Sequence, residues 1–328
     1  MLSPETPRML VVRHPTYRHD FYQVIDNWIR HFGGPHAGLL DVRDLPLDLN
    51  PQQQGGQPYG AMVPWLQDPV QHWSPECYAQ TLALQQQCDA RQIPVLNRVE
   101  RLAHAGKARG AELMQSVGLR VPRMALITDP QEFRETLLGV PLPLFVREDW
   151  GHRGPVFEIR TMAQAQQIPF EQLQRPVAIE WVNTAGFDGL YRKYRYFAAG
   201  DIGISHHLRC STEWLTRGDN RVITPSTRVL ELDYVARADR DHALFQRARR
   251  ALGLDMVAFD YGRLPDGSPV VWEANPFPFI QFSTGSLKYR NNALHRSIAA
   301  VFRLYLHTLG IPIPQRLEEF ISYRADTL

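Results

Sequence analysis

Lysine is scarce in this 328-residue chain: of 36 basic side chains only Lys107, Lys193 and Lys288 are lysines, and the rest are arginines. Arginine stays charged when buried and forks onto planar anions, so a position that keeps a lysine's compact charge stands out. Cysteine is scarce too. Cys77, Cys88 and Cys210 are odd in number and match no metal-knuckle spacing. That argues against a secreted disulfide scaffold and for a reducing compartment, with small buried hydrophobe as the ordinary role of all three. Net charge is nearly absent at +2, which removes the simplest electrostatic case for nucleic-acid binding without excluding a local basic patch. No apolar run approaches membrane-spanning length, and the start, MLSPETPRMLVVRHP, lacks the apolar core of a signal peptide. The expectation is a soluble cytoplasmic protein with no membrane partner. A 44% hydrophobic share excludes disorder along the whole chain, and the length suits about two domains.

Patterning in the first half alternates strands with helices. The apolar run 8–14 reads as a buried strand. Residues 20–32 read as a helix with Asp20 as N-cap and Phe21, Val24, Ile25, Trp28, Ile29 and Phe32 on one face, ended by Gly33-Gly34. The stretch 46–60 is rich in Pro, Gln and Gly and reads as a loop. Ser74-Pro75 opens a helix to about Arg91, Pro94 to Leu96 returns as a short strand, and Asn97 with Glu100 reads as a capping box. Helices then run to Gly118, and Asp129-Pro130 caps another. Strands dominate after that, at 144–148, 156–160, 177–182, 193–199, 202–210 and 229–234. A helix at 240–252 ends at Gly253, and a final helix at 291–309 stops at Gly310 and Pro312. The class is α/β followed by α+β.

The most informative segment lies between those last helices: AFDYGRLPDGSPVVWEANPFP. Its Pro-Asp-Gly turn between two apolar runs makes a hairpin. Strand side chains alternate, so Glu273 and Asn275 share a face, and the turn sets Asp260 roughly opposite them. Three hard oxygen donors then converge, a set that suits magnesium and leaves coordination places for phosphate oxygens. A solvated polar face is the ordinary alternative. The neighbouring runs DMVAF and PVVW are strongly apolar, where unpaired charge is costly. On the residues alone both readings stay open.

This hairpin resembles the metal-binding hairpin of the ATP-grasp superfamily, where an Asp, a Glu thirteen residues on and an Asn two further hold two magnesium ions against ATP. The resemblance extends upstream in the family's order and covers about residues 95 to 280. VLNRVERLAHAGKARGAELMQSVGLRVPR resembles the entry to the central subdomain, with Lys107 where the family places a phosphate lysine. PLFVREDWGHRGPVFEIRT resembles the strand, glycine-containing loop and strand that cover the triphosphate, and VAIEWVN the hinge strand on the adenine edge. GLYRKYRYFAAGDIGISHHLR resembles the stretch whose arginines line the acceptor side. The nearest flavour is the branch of glutathione synthetases and ribosomal-protein glutamate ligases. There are departures. The family's second phosphate lysine is Arg147 here, the loop carries His152 and Arg153 where small residues are usual, and Pro-Phe-Pro-Phe follows Asn275. The arginine that D-alanine–D-alanine ligases carry two residues before the metal Asp is Ala258.

The resemblance implies an ATP-grasp fold with an N-terminal Rossmann-like domain at 1–95, a central subdomain at 96–175 and a C-terminal subdomain at 176–328, the nucleotide held between the last two. It implies ATP and magnesium, two ions with manganese as a substitute. It implies a carboxylate–amine (or carboxylate–thiol) ligase that passes through an acyl phosphate on a small amino acid or peptide-like acid, with an amine nucleophile, no nucleic acid and, by family habit, a homodimer. Asp260, Glu273 and Asn275 would hold metal. Lys107 and Arg147 would carry the phosphates, and Glu180 with the Trp181–Val182 backbone would seat the nucleoside. Arg195 and Arg209 would meet the transferring phosphoryl group and the acid. DWGHRG and the 211–227 loop are the candidate lids, with Trp150 and Trp214 as possible ligand contacts. A phosphotransferase or a non-catalytic nucleotide-binding scaffold are the rivals. Plainer roles are expected elsewhere. His206 and His207, adjacent on a strand, point to opposite faces; Arg247, Arg249 and Arg250 form the solvated side of a helix; Lys288 and Arg290 are either surface residues or reach substrate.

Overall fold

The structure is a computed structural model, and it describes residues 6–17, 19–47, 59–150, 154–216 and 220–322. The loop read at 46–60 therefore falls largely outside the described residues, as do His152 and Arg153 and the side chains of Asp20 and Phe21.

The apolar run near the start forms strand β1 (Arg8–Arg13), whose four central residues have no exposed surface. It is the middle of a three-stranded parallel sheet between β2 (Leu40–Asp44) and β3 (Tyr59–Trp65). Parallel strands need a crossover, and the helix His19–Phe32 supplies the one from β1 to β2. A strand buried on both faces reads as a continuous apolar run rather than an alternation, which is the pattern of MLVV. The expected strand at Pro94 reduces to a single parallel bridge between Val95 and Met62. The helix Pro75–Ala90 begins where Ser74-Pro75 places it, but Ser74 does not cap it. Its hydroxyl lies 3.3 Å from His14 Nε2 instead.

Two antiparallel sheets follow. The first takes the order β4-β7-β5-β6, from Met124–Leu126 (β4), Leu144–Glu148 (β5), Val156–Ile159 (β6) and Pro176–Glu180 (β7). It packs on its own small core around Phe133, Leu144, Val146 and Ala178. Asp129 caps the helix Pro130–Thr136 as its sequence predicts, accepting from Gln131 N at 2.8 Å. The second sheet has the order β11-β10-β8-β9, from Tyr191–Ala199 (β8), Ile202–Ser211 (β9), Met256–Arg263 (β10) and Pro269–Asn275 (β11). One of its faces shares a core with the N-terminal sheet and the helix Asn291–Thr308, through Phe197, Ile204, Ile298 and Tyr305. Among the described residues no helix is long and apolar enough to cross a membrane.

Two expectations are corrected. Residues 229–234 are not a strand but part of the helix Pro225–Val235. The β-branched and aromatic content of VLELDY favours a strand, yet Thr224 and Thr227 form a reciprocal capping box just upstream, with Pro225 at the first turn. Local capping decides the segment. Asn97 is not a helix cap: it adopts φ +48 and its side chain turns the other way, to the start of β10. Its Oδ1 accepts from Asp255 N (2.7 Å) and Met256 N (2.9 Å), and its Nδ2 donates to Met256 O (2.8 Å). An amide that satisfies three backbone groups of a buried strand outcompetes one capping bond.

Candidate active site

The hairpin forms with Gly267 at φ +81 in the turn, where Asp266 accepts from Ser268 N at 2.8 Å. Its register puts Asp260 directly opposite Glu273, and Ala258 opposite Asn275. On the other side Asp260 faces Arg195 of β8, which faces His207 of β9. Paired residues of an antiparallel ladder share a face. Glu273, Asp260, Arg195 and His207 therefore form one polar row across four strands, with Lys193 and Arg209 paired in the next row on the same face. Two bulges flank it, at Asp260/Tyr261 and Arg195/Tyr196. Bulges of this kind re-aim side chains and cluster at functional sites.

Asp260 is 4% exposed and gripped on both oxygens by Arg195, at 2.5 Å from Nε and 2.8 Å from Nη2, with Lys193 Nζ at 3.3 Å. Burial alone would raise its pKa, but the Arg195 and Lys193 charges overcome that and hold the carboxyl well below its ordinary range. Lys193 is pulled the other way: burial lowers its pKa, and Asp260 partly restores it.

In front of this row lies a cavity of about 120 Å³. Lys107, Arg147, Lys193, Asp260 and Glu273 line it. So do the apolar Phe145, Ile179, Val182 and Trp272, with Trp214 stacked on Phe145 at 3.5 Å between ring centroids. Lys107 opens the helix Lys107–Gln115 and is buried; its Nζ donates to Asp149 O at 3.2 Å. Burial lowers its pKa to about 8, against the attraction of Glu273. Asp149 fixes that helix start: its Oδ1 accepts from Ala108 N (2.8 Å) and its Oδ2 from Arg175 Nε (3.0 Å). Glu180 ends β7 on the cavity wall with its carboxylate on Arg123 N (2.8 Å). The Trp181 amide already donates to Pro143 O (3.1 Å), which leaves the Trp181 carbonyl and the Val182 amide as the backbone groups to meet a ligand.

Asn275 borders a smaller neighbouring cavity with Asp68, Asp149 and Trp150, and its Oδ1 accepts from Phe277 N at 2.9 Å. Glu273 and Lys107 line both cavities and connect them. Among the described residues no three His, Cys, Asp or Glu side chains gather as a complete metal cage. Two carboxylates in register plus an amide are an incomplete oxygen set that fits magnesium only with phosphate and water completing it.

Arg209 does not line the cavity in front of the row; it lines a second, larger one of about 340 Å³ beyond the His207 end of the row, with His206, His207, Arg221 and Arg290. The two histidines do not point to opposite faces as plain alternation requires. The bulge pairs Arg195 with His207 and Tyr196 with Ser205, leaving His206 as the extra residue, and both imidazoles line this cavity. Both are buried; burial, then the Arg195 and Arg209 charges, lower His206 to about 3 and His207 well below its ordinary value, so both are neutral. Arg290 is no surface residue: Glu231 Oε2 accepts from its Nε (2.8 Å) and Nη2 (2.6 Å). Lys288, Arg247 and Arg250 are exposed, while the half-buried Arg249 donates to Leu254 O at 2.8 Å. Arg221, Asp68 and Asp149 were not read from the sequence. For Asp149 the signal was its place just after β5, facing a helix that starts at Gly106-Lys107; the other two carried none.

The sequence matches no protein-family model and no curated protein. The fold does find counterparts. An ATP-grasp ligase, PsnB, solved with its minimal precursor, aligns with a TM-score of 0.56 over 91% of this chain and 99% of its own, at 17% identity. The chain has the ATP-grasp fold. The D-alanine–D-alanine ligase of Bacillus anthracis aligns with a TM-score of 0.57 over 93% of this chain and 99% of its own, at 12% identity. The macrocyclase MdnC from Microcystis aeruginosa, bound to its precursor peptide MdnA, gives a TM-score of 0.54 over 91% and 99%, at 12% identity. At such identities the likenesses speak for the ATP-grasp fold with its Rossmann-like and nucleotide-binding parts, and for no one branch of it.

Proposed function

We propose that this ATP-grasp chain is an ATP-dependent carboxylate–amine ligase working through an acyl phosphate, nearest the glutathione synthetase and ribosomal-protein glutamate ligase branch. The observation that carries this is the make-up of one cavity: aromatic rings (Phe145, Trp214, Trp272), three cations (Lys107, Arg147, Lys193), and Asp260 in register with Glu273. That combination suits a planar base and a triphosphate. Magnesium, when bound, neutralises charge across the phosphates. Asp260, Glu273 and Asn275 are the residues to hold it. Lys107 and Arg147 take the phosphate oxygens, Glu180 with the Trp181–Val182 backbone the nucleoside. In this reading the boundaries are 1–95, 96–175 and 176–328, with the nucleotide between the β4–β7 and β8–β11 sheets, in a cytoplasmic enzyme.

A carboxylate oxygen of the acid bonds to the γ-phosphorus, the β–γ bridge breaks, and ADP leaves with the electron pair. The amine then attacks the acyl carbon, loses a proton, and expels phosphate. In this reading Arg195, oriented by Asp260, meets the transferring group, and Arg209 the acid beyond it. Trp214, Leu215 and Thr216 line the cavity, where exclusion of water would protect an acyl phosphate. The folds of PsnB and MdnC, both solved with precursor peptides, favour a peptide-like partner on the amine or acid side.

The test is a magnesium-dependent ADP-release screen over amino acids and short peptides, with mass spectrometry of the products. Amide formation supports the ligase; a stable phosphorylated product without an amide shows a phosphotransferase, and nucleotide binding without turnover a scaffold. Glu273→Gln should lower turnover at least about hundredfold with an unchanged circular dichroism spectrum. Near-native activity in that variant removes the metal assignment.

A further inference from the structure

The second cavity is built for more negative charge than one carboxylate brings. Three guanidinium groups line it, from Arg209, Arg221 and Arg290, and among the described residues no Asp or Glu does. Glu231 accepts from Arg290; its charge also acts on Arg221, as that of Asp260 does on Arg209. Arg209 Nε, Arg221 Nε and His207 Nε2 are all buried with no hydrogen-bond partner among the described residues. Native proteins seldom leave buried donors unmet, and the three residues that carry these atoms line the same cavity. The neutral histidines offer hydrogen bonds but no counter-charge. Burial, then the nearby Arg221, lowers the proton affinity of Arg209 despite Asp260, and burial with Arg290 does the same for Arg221 despite Glu231, so positive charge is in excess here. Phe282, Leu287 and Leu294 also line it.

We propose that the acid taken here is a small polyanion, with one carboxyl at Arg195 for activation and a further anionic group, carboxylate or phosphate, held between Arg209 and Arg221. This rests on the ligase reading for the direction of the first carboxyl. The His207–Arg195–Asp260 row runs between the two cavities, with His207 lining this one and Asp260 the other, so in this proposal the near end of the acid points along the row to the phosphoryl donor. A volume of about 340 Å³ suits a compact acid rather than a folded segment of protein. Bidentate guanidinium contacts account for the choice of arginine over lysine on this wall.

The inference is tested by titration calorimetry on the full chain with pairs that differ by about one negative charge, glutamate and glutamine, succinate and succinamate, and by close to two, O-phosphoserine and serine, with citrate as a trianion. At least one dianion or the trianion should bind about tenfold or more tightly than its less charged counterpart, glutamine and succinamate serving for citrate. The carboxylate and phosphate arms separate the two kinds of anionic group. Arg221→Gln and Arg209→Gln should each erase the preference, and Arg221→Lys and Arg209→Lys, which keep the charge, should keep part of it if a glutamine variant fails to fold. Equal binding within every pair, no binding by any dianion or citrate, or a preference that survives both glutamine variants overturns the proposal. Binding of magnesium–ATP to the unaltered chain is measured separately. Its failure counts against the ligase reading and leaves an anion preference standing, and the reverse pattern removes this inference alone.

Discussion

Asp260 is buried between two cations, and its removal would leave Arg195 and Lys193 without their shared counter-charge. Asp260→Asn should therefore cost about 3–5 kcal/mol in urea unfolding, since breaking a buried pair strands the partner; a loss under about 1 kcal/mol would show the pair to be dispensable. Its native pKa is held below the unfolded value near 4, so its stabilisation is whole above about pH 4 and is lost as pH falls further. Asp68 is the opposite case. Burial, then Asp149, pushes it up to about 8, and its Oδ1 is buried with no partner among the described residues. Because the native state keeps its proton longer, stability from Asp68 is full below about pH 4 and is lost as pH climbs towards 8. Asp68→Asn should gain on the order of 2 kcal/mol at pH 8 and nothing near pH 4, in magnesium-free melting curves. A gain at both pH values would rule out the ionisation as its source.

At the scale of elements, the hairpin that carries Asp260 and Glu273 is steadied from far along the chain. Asn97 bonds three backbone groups at the start of β10. Asn97→Ala leaves those groups unmet in a buried setting and should cost about 3 kcal/mol or more. If the strand shifts, ADP release falls with it. Full activity with the stability loss would confine Asn97 to folding. The same residue shows how local reading goes astray. Asn followed three residues later by Glu is a fair cap signature, but a buried strand 158 positions away makes the larger claim on the side chain. The helix Pro225–Val235 errs in the opposite sense: there the local cap was present in the sequence, at Thr224-Pro225, and strand propensity was given the greater weight.

For the whole molecule, the nucleotide proposed between the two sheets would tie together parts with separate cores. Magnesium–ATP at about a hundred times its dissociation constant should stabilise the chain by about 2.7 kcal/mol, and a chelator should remove most of that. An equal shift with ATP alone would mean that the carboxylates do not hold metal.

The sequence alone determined what depends on short-range pattern. The parallel core of β1, the cap at Asp129, the αL stop at Gly253 and the hairpin with Asp260 opposite Glu273 all follow from alternation and turn chemistry within a few residues. The tertiary structure decided what depends on partners distant in the chain. It brought Arg221 and Arg290 to Arg209, let a bulge in β9 turn both histidines into one cavity, and set Asp68 against the hairpin. Burial and unbalanced charge are properties of that assembled space, so no pattern of neighbours along the chain could carry them.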